Sequence, residues 1–348
     1  MTAPPIAILG AGMMTGVGLT APASCAAIRC AIDNFTETRF IGQGGEWIVG
    51  SAVPLEQPWR GQAKLVRLLA GPVRECLDSI PGVPAEDVPL LVCVAERERP
   101  GRLDGLDNSL FFELQKELGL TFHAESEIFA DGRVAGALAL RRARQLLYRA
   151  EAPHRHVVVS GADTFLVGPT LMAYDERDRL LTERNSDGFI PGEAGAALLL
   201  SRPGRKGAGL HVLGLGFARE TAAIESEEPL RGHGLAQAIA AALADAGTAI
   251  EAMDFRITDL SGEQYGFKEA SLALSRLLRV RKEEFDIWHP ADCIGEVGAA
   301  ALPCMLGVAL YAARKRYAPG PAVLAHGGND DGKRVAVVLS AATEGGAG

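Results

Sequence analysis

The chain has 348 residues, 48% of them hydrophobic and 22% charged, and its 35 Lys and Arg against 43 Asp and Glu give a net charge of -8 at pH 7. A chain of this length can bury most of its surface, which excludes a disordered chain or a small disulfide-stapled scaffold and predicts two core units. The acidic balance argues against binding a polyanion over a broad face, so nucleic acid is not an expected partner.

Short runs of Val, Ile and Leu alternate with Ala-rich stretches at helical spacing, which predicts alternating strands and helices. In a first series the predicted strands are 6–9, 89–95, 127–130, 156–160 and 194–200, and the predicted helices are 21–32, 65–79, 108–118 and 135–150. In a second series the predicted strands are 210–215, 255–260, 285–288, 322–324 and 334–339, and the predicted helices are 235–246, 267–277 and 297–313. Strands without polar alternation indicate a sheet covered on both faces, so the fold class is α/β with two halves, residues 1–205 and 206–348.

The six cysteines are scattered among apolar neighbours, without a CxxC pair: Cys25, Cys30, Cys76, Cys93, Cys293 and Cys304. This pattern predicts reduced core thiols in a cytoplasmic protein. The first residues lack a basic region and a long apolar run, so no signal peptide is expected. The uncharged stretch 297–313 contains Gly and Pro and is short for a bilayer, which favours a buried core helix over a membrane span.

One segment carries a specific motif. Residues 160–164 read Ser-Gly-Ala-Asp-Thr, and residues 186–200 read Ser-Asp-Gly-Phe-Ile-Pro-Gly-Glu-Ala-Gly-Ala-Ala-Leu-Leu-Leu. This pair resembles the β-ketoacyl synthases of the thiolase superfamily, in which Gly-Gly-Ala-Glu precedes Asp-Gly-Phe-Val-x-Gly-Glu-Gly-Ala-Gly and a strand. The matching residues are Asp187, Gly188, Phe189, Gly192, Glu193 and Gly195. A glycine-rich turn at 10–18 and a closing Gly327, Gly328 and Asn329 agree in order.

The resemblance implies the thiolase fold, with two duplicated five-stranded α/β halves in a layered αβαβα arrangement, and a dimer through the N-terminal halves. It also implies a cysteine nucleophile and two histidines, or a histidine and an asparagine. The positions that match these groups hold other residue types: Arg133 for the thiol, Ser261 for the first histidine, Glu296 for the second, and Ala291 for the lysine before it. His326 is the histidine that the resemblance places near this vestigial pocket. No catalytic residue is therefore assigned.

Arg133 is predicted at the start of a helix, where a cation is unfavourable unless a carboxylate faces it. Glu296 and Asp131 are the available carboxylates. We hypothesise that Arg133 and Glu296 form an ion pair that fills the pocket. In the alternative, Arg133 points into solvent.

These observations predict a non-catalytic thiolase-fold partner, adaptor or scaffold protein. Two roles stay open: a subunit like a chain length factor, or an accessory protein of a type VI secretion effector cluster. The expected partners are a second copy or a different subunit bound through the N-terminal half, with an acyl carrier protein, an active synthase or a secreted effector as alternatives.

The competing interpretation is a divergent acyltransferase or condensing enzyme acting on acyl thioesters through Cys293, Ser261 or His326. Arg141, Arg142 and Arg144 either dock an acidic carrier protein or form a solvated helix face. The turn around Gly10 and Gly12 lacks a dinucleotide fingerprint, so no cofactor is expected. The seven histidines show no metal-ligand spacing, so no metal is expected either.

Overall fold

The computed structural model describes residues 2–204 and 209–341. The predicted boundary between the halves, at residues 205 and 206, lies outside the described residues. The strands are β1 (Ile6–Thr15), β2 (Thr36–Ile41), β3 (Trp47–Gly50), β4 (Leu90–Val94), β5 (Glu127–Ala130), β6 (His156–Thr164), β7 (Glu193–Ser201), β8 (Leu210–Arg219), β9 (Phe255–Thr258), β10 (Ile287–Trp288), β11 (Ala322–Gly328) and β12 (Lys333–Ala341).

The α-helices are α1 (Ala21–Arg29), α2 (Gly61–Asp78), α3 (Asn108–Leu118), α4 (Ala135–Tyr148), α5 (Gly168–Asp175), α6 (His233–Ala246), α7 (Gln264–Leu277), α8 (Ala291–Ile294) and α9 (Ala301–Lys315). Single turns of 3-10 helix occur at Ala85–Asp87, Gly132–Val134, Ile250–Ala252 and Gly298–Ala300.

Within the described residues, ten strands form one mixed sheet in the order β10-β9-β11-β12-β8-β1-β7-β6-β4-β5. In the first set of strands, β1 pairs with β7 and β7 with β6 in antiparallel fashion. The outer pairs, β6 with β4 and β4 with β5, are parallel. The second set repeats this pattern: β8 with β12 and β12 with β11 are antiparallel, and β11 with β9 and β9 with β10 are parallel. The two sets meet where β1 pairs antiparallel with β8. The described strands therefore form the duplicated five-stranded pattern that was predicted.

Three hydrophobic clusters define the layers of the fold. In β4, Leu91 and Cys93 face a central cluster that also contains α4, α9 and inward side chains of both sets of strands. Leu90 and Val92 alternate with them and face an outer cluster with α2 and α3. A third cluster packs α6 and α7 against the outer face of the second set of strands. This order of helix, sheet, helix, sheet and helix is the predicted αβαβα layering.

The apolar stretch that raised the question of a membrane span forms α9. Its helix begins at Ala301, because Gly298–Ala300 form a 3-10 turn, and Pro303 lies in its first turn, where no backbone hydrogen bond is lost. Leu306 and Leu310 are fully buried in the central layer. In residues 2–204 and 209–341, no helix combines the length and the apolar character needed to cross a bilayer.

Two features differ from the sequence-based expectation. The glycine-rich segment predicted as a turn continues β1 from residue 9 to Thr15. Gly12 allows close packing, because a Cβ there would collide with the backbone of Pro72 in α2. The predicted turn is present only at residues 16–18, where the N–H of Thr15 donates to the carbonyl of Gly18 at 2.7 Å. The hairpin of β2 and β3 and the short α5 were not predicted, since β2 is mostly exposed and its sequence lacks a buried apolar run.

Candidate functional site

Arg133 lies in the 3-10 turn between β5 and α4, and its guanidinium is held by two carboxylates of the second half. Its Nη1 is 3.0 Å from Oε2 of Glu296, and its Nη2 pairs with Oδ1 of Asp330. The Arg133 side chain is 16% exposed. Burial alone would lower its pKa, but Asp330 and Glu296 raise the pKa of Arg133 well above the usual arginine value. The predicted ion pair is present, and the solvent-facing alternative is wrong.

Glu296 is 2% exposed, and both of its carboxylate oxygens have partners. Oε2 accepts a hydrogen bond from Ser261 Oγ at 3.1 Å in addition to the arginine, and Oε1 accepts one from the backbone N–H of Gly298 at 2.8 Å. A buried carboxylate is tolerated only when it is paired and hydrogen bonded in this way. Both carboxylate oxygens of Glu296 are therefore engaged by groups of the chain itself.

Asp330 extends the charge network away from Arg133. Its Oδ2 is 3.3 Å from Nη1 of Arg179 and accepts a hydrogen bond from the Tyr174 hydroxyl at 3.3 Å. Arg179 in turn makes a two-pronged contact with Glu263. Burial would raise the pKa of Asp330, but Arg133 and Arg179 hold it well below its usual range. The negative charge of Asp330 is thus shared between two guanidinium groups.

A second group of charged side chains, around Arg99, borders the same centre. Arg99 donates to Glu96 from Nε at 2.9 Å and from Nη2 at 2.7 Å, and its Nη1 lies 3.0 Å from Asp163. Asp163 also accepts the backbone N–H groups of Ala299 and Thr164, both at 2.9 Å. Burial raises the pKa of Asp163, although Arg99 opposes the shift. The centre between the halves is therefore packed with mutually neutralising charges.

A cavity of about 60 Å³ remains beside this network. Arg133, Ser261, Asp330 and His326 are among its lining residues, so three of the predicted pocket positions meet there. Glu296 reaches this group through its contacts with Arg133 and Ser261, and Ala291 lines a smaller neighbouring cavity that also contains Glu296. A polar cavity of this volume has room for a few water molecules and is far smaller than an ordinary ligand pocket.

The three residues considered as unusual reactive groups lie in different surroundings. The Ser261 hydroxyl donates a hydrogen bond to Glu296 Oε2, which also accepts from Arg133. Cys293 Sγ lies 4.0 Å from the carbonyl oxygen of Ile28 in α1, and burial raises the pKa of this thiol to about 11, so it is protonated at neutral pH. Burial lowers the pKa of His326 to about 3, with Arg256 adding to the effect, which leaves a weakly basic ring.

Burial raises the pKa of Asp259, as it raises that of Asp163. Asp259 is partly buried at the end of β9, and Oδ2 accepts the backbone N–H of Gly328 at 2.9 Å. Burial and the nearby Glu296 raise the pKa of Asp259 to about 6, while Arg133 opposes the rise. Gly327 is required beside it, because a Cβ there would contact the Asp259 carboxylate. The closing glycines therefore shape the cavity wall.

The motif that carries the resemblance performs structural tasks next to the site. Asp187 accepts the backbone N–H of Gln264 at 2.7 Å and so caps α7, and Phe189 packs edge-on against Phe165. Glu193 is fully buried, where it accepts from the Val53 N–H at 2.9 Å and from the Thr164 hydroxyl at 2.8 Å. The remaining motif glycines allow close approach of neighbouring backbones: Gly188 to Leu180, Gly192 to Ile294 and Gly195 to Leu68.

The arginine-rich face of α4 is neither a free docking patch nor simply solvated. Each of its three arginines contacts another side chain: Arg141 lies over the ring of Phe217, Arg142 pairs with Glu127, and Arg144 pairs with Asp245. Two of the three charges are therefore neutralised within the chain, which weakens the expectation that this face binds an acidic carrier protein.

Several members of the network were not predicted from the sequence. Asp330, Arg179 and Arg99 are distant from Arg133 in the chain, and no spacing connects them. A signal was present for Asp330, because it directly follows the Gly327, Gly328 and Asn329 motif at the end of β11. Asp131, proposed as a second partner for Arg133, pairs instead with Lys333 at 2.9 Å.

Comparisons with known proteins agree with this architecture. No family model matches the chain, and no curated protein matches it. A chain of the complex of a type II polyketide acyl-carrier protein with its ketosynthase superposes with a TM-score of 0.80 at 13% identity, over 98% of this chain and 100% of that chain. A β-ketoacyl synthase from Burkholderia phymatum superposes with a TM-score of 0.77 at 13% identity, over 99% and 100%.

A third solved structure is the complex of a ketosynthase with its chain length factor from Xenorhabdus doucetiae. It superposes with a TM-score of 0.72 at 14% identity, over 97% of this chain and 98% of that chain. The chain therefore has the thiolase fold of ketosynthases and chain length factors, as the resemblance predicted.

Proposed function

We propose that this chain is a non-catalytic, ketosynthase-like subunit that acts by binding another protein, in the manner of a chain length factor. The proposal rests on the residue type found in the reaction centre. Arg133 stands where the resemblance expects a thiol, and Glu296 and Asp330 bind its guanidinium. A guanidinium that remains protonated has no lone pair with which to accept an acyl group.

The contacts around Arg133 support a structural use of the centre. Arg133 comes from the first half of the chain, whereas Glu296 and Asp330 come from the second, so each ion pair ties the halves together. In this proposal the ion pairs fill the position that an acyl thioester would take in an active relative. A remaining cavity of about 60 Å³ leaves no room for such a substrate without displacing the ion pairs.

A free sheet edge offers the surface for a partner. β5 is the last strand of the ten-stranded sheet and pairs only with β4 among the described strands. An unpaired strand edge presents N–H and C=O groups that a strand of another chain can bind. In this proposal a second subunit continues the sheet at β5, which lies in the N-terminal half. Two of the similar structures are complexes of a ketosynthase with a chain length factor or an acyl-carrier protein.

The same proposal has a second form, in which the chain is an accessory protein of a type VI secretion effector cluster. The two forms differ in the partner. A subunit like a chain length factor binds a catalytically complete ketosynthase, whereas an accessory protein binds the secreted effector.

The test is assembly, measured without and with co-expressed candidate partners. Light scattering coupled to size exclusion gives the stoichiometry of the purified chain, alone and with a ketosynthase or an effector from the same genome. Hydrogen–deuterium exchange then locates the contact. We expect a dimer or a heterodimer in which amides of 127–130 become protected, while those of the opposite edge strand, 287–288, do not. A chain that stays monomeric with every partner would contradict the proposal.

A further inference from the structure

Two histidines and a glutamate that are separated in the sequence come together behind the edge strand. His123 and Glu125 belong to the connection between α3 and β5, and His154 belongs to the connection between α4 and β6. One ligand atom of each residue lies within 4.8 Å of the other two. His154 Nε2 is 2.9 Å from Glu125 Oε2, and the two imidazole rings meet edge to face with centroids 4.4 Å apart. The site lies away from the vestigial pocket.

The backbone holds these three residues in place. The N–H of His123 donates to the carbonyl of Val88 at 3.3 Å, and the N–H of His154 donates to the carbonyl of Leu146 at 3.1 Å. The backbone N–H of Glu125 donates to His123 Nδ1 at 3.1 Å, so this nitrogen is unprotonated, and a metal would have to replace that N–H at its lone pair. His154 is 8% exposed, whereas the His123 and Glu125 side chains are about one third exposed. The cluster is thus anchored on one side and reachable from solvent on the other.

We propose that His123, Glu125 and His154 form a binding site for a divalent transition metal, with Zn²⁺ as the best match. Two imidazole nitrogens and one carboxylate oxygen are a frequent zinc ligand set, and they leave a fourth position for water or for a side chain of a partner. Zn–N bonds of about 2.0–2.1 Å require the ligand atoms to close towards one another. The His123 and Glu125 side chains, each about one third exposed, can make that movement if Glu125 gives up part of its contact with Arg149.

Two arginines set the strength of the site. Arg149 Nη1 donates to both carboxylate oxygens of Glu125, at 2.8 and 2.7 Å, and its Nη2 is 3.3 Å from His154 Nε2. Arg142 lies 3.8 Å from the same carboxylate. A guanidinium can orient a metal-bound carboxylate through its second oxygen, but its positive charge also repels the cation. Removing the Arg149 charge should therefore tighten metal binding, which a purely structural histidine cluster would not predict.

The metal would join the start of β5 to the start of β6. The segment that carries His123 and Glu125 leads directly into the edge strand, and Ser126 within it donates to the carbonyl of His123. A bound ion would therefore order the approach to the sheet edge. This inference does not depend on the proposed function, because metal binding is measured on the isolated chain.

The experiment is a titration of the full-length, metal-stripped chain with Zn²⁺ in competition with a chromophoric chelator. We expect one Zn²⁺ per chain, and Co²⁺ in its place should produce visible absorption of a low-symmetry nitrogen and oxygen site. His123→Gln and His154→Gln should each weaken Zn²⁺ binding by more than about tenfold, whereas Arg149→Met should strengthen it by about tenfold. His233→Gln, at an exposed histidine outside the cluster, is the matched control and should bind as the parent does.

Circular dichroism of each variant shows whether it is folded. If His154→Gln fails to fold because its residue is buried, His123→Gln and Arg149→Met still decide the question, since both side chains are partly exposed. Absence of Zn²⁺ binding by the parent chain, or equal binding by the parent and His123→Gln, would overturn the proposal. Loss of binding in His233→Gln would also overturn it, because the metal would then be held elsewhere.

Discussion

The segment 187–195 and the reaction centre are in direct contact, yet only the segment keeps the residue types that the resemblance expects. The backbone N–H of Gly192 donates to the carbonyl of Glu296 at 2.9 Å, and the N–H of Glu296 donates to Ile190 at 2.8 Å. The segment caps a helix, buries Glu193 and brings backbones together. The centre holds ion pairs at the positions that the resemblance matches to a thiol and imidazoles. The two regions therefore differ in how far they keep the residue types that the resemblance expects.

The largest expected loss of stability comes from a substitution in the reaction centre. Glu296→Ala leaves the guanidinium of Arg133 with one carboxylate fewer, and the Gly298 N–H without an acceptor. Breaking a buried ion pair from one side typically costs about 3–5 kcal/mol of unfolding free energy. Urea denaturation at pH 7 measures the loss. Glu228→Ala, at an exposed glutamate, is the control and should stay within about 0.5 kcal/mol of the parent. A loss below about 1 kcal/mol for Glu296→Ala would contradict a structural role.

A substitution in the segment 187–195 should lower the unfolding free energy almost as much, for a steric reason. Gly195→Ala places a Cβ against the carbonyl oxygen of Leu68, which belongs to the backbone of α2 and cannot rotate away. We expect a loss of about 3 kcal/mol, at the upper end of the usual cost of overpacking. The same denaturation experiment on Gly204→Ala provides the control, because no atom of the described residues lies within 4 Å of a Cβ there. Equal stability of the two variants would mean that the helix and the sheet do not pack as described.

The unfolding free energy should also depend on pH through Asp259. Its pKa in the folded chain, about 6, lies above the ordinary value of 3.8, so the folded state binds the proton more tightly than the unfolded state does. Its contribution to stability is complete below about pH 4 and is lost as the pH rises through about 6. Asp259→Asn mimics the protonated acid and keeps an acceptor for Gly328. We expect it to be more stable than the parent by roughly 2 kcal/mol at pH 8.

The pH dependence provides the check. The stability difference between Asp259→Asn and the parent should shrink to near zero at pH 4, and unfolding curves at five pH values between 4 and 8 measure it. Asp331→Asn is an exposed control in the neighbouring turn. A difference that does not change with pH would show that Asp259 is ionised throughout this range.

The smallest expected effect concerns Ser261. Its hydroxyl donates one hydrogen bond to a carboxylate that keeps its other partners, so Ser261→Ala should cost about 1 kcal/mol. The same denaturation measurement applies. A cost near that of Glu296→Ala would mean that Ser261, rather than the ion pair, holds the centre together.

Local signals predicted several elements well. The bounds of α3 agree with the predicted 108–118, because Asp107 caps its start and Gly119 in the left-handed region ends it. The pairing of Arg133 with Glu296 was also predicted, from the positions that the resemblance matches together with the charge at a helix start. The resemblance, rather than any local pattern, supplied the layered fold.

Other contacts left no local signal. Arg179 and Asp330 are 151 residues apart, and neither spacing nor polarity in the sequence indicates that they meet. The cluster of His123, Glu125 and His154 was likewise missed, since its ligands come from two loops rather than from one helix. The continuation of β1 was hidden by glycines that allow close packing but suggest a turn. Long-range pairing of this kind is set by the packing of the whole chain.

The most direct test of the central claim is incubation of the purified chain with malonyl and acyl thioesters, followed by measurement of decarboxylation and of acyl-protein mass. A reaction centre filled by Arg133 and its carboxylates predicts no decarboxylation above the buffer rate and no covalent adduct. Turnover or an adduct that disappears in Ser261→Ala or Cys293→Ala would contradict the claim and establish an enzyme with an unusual nucleophile.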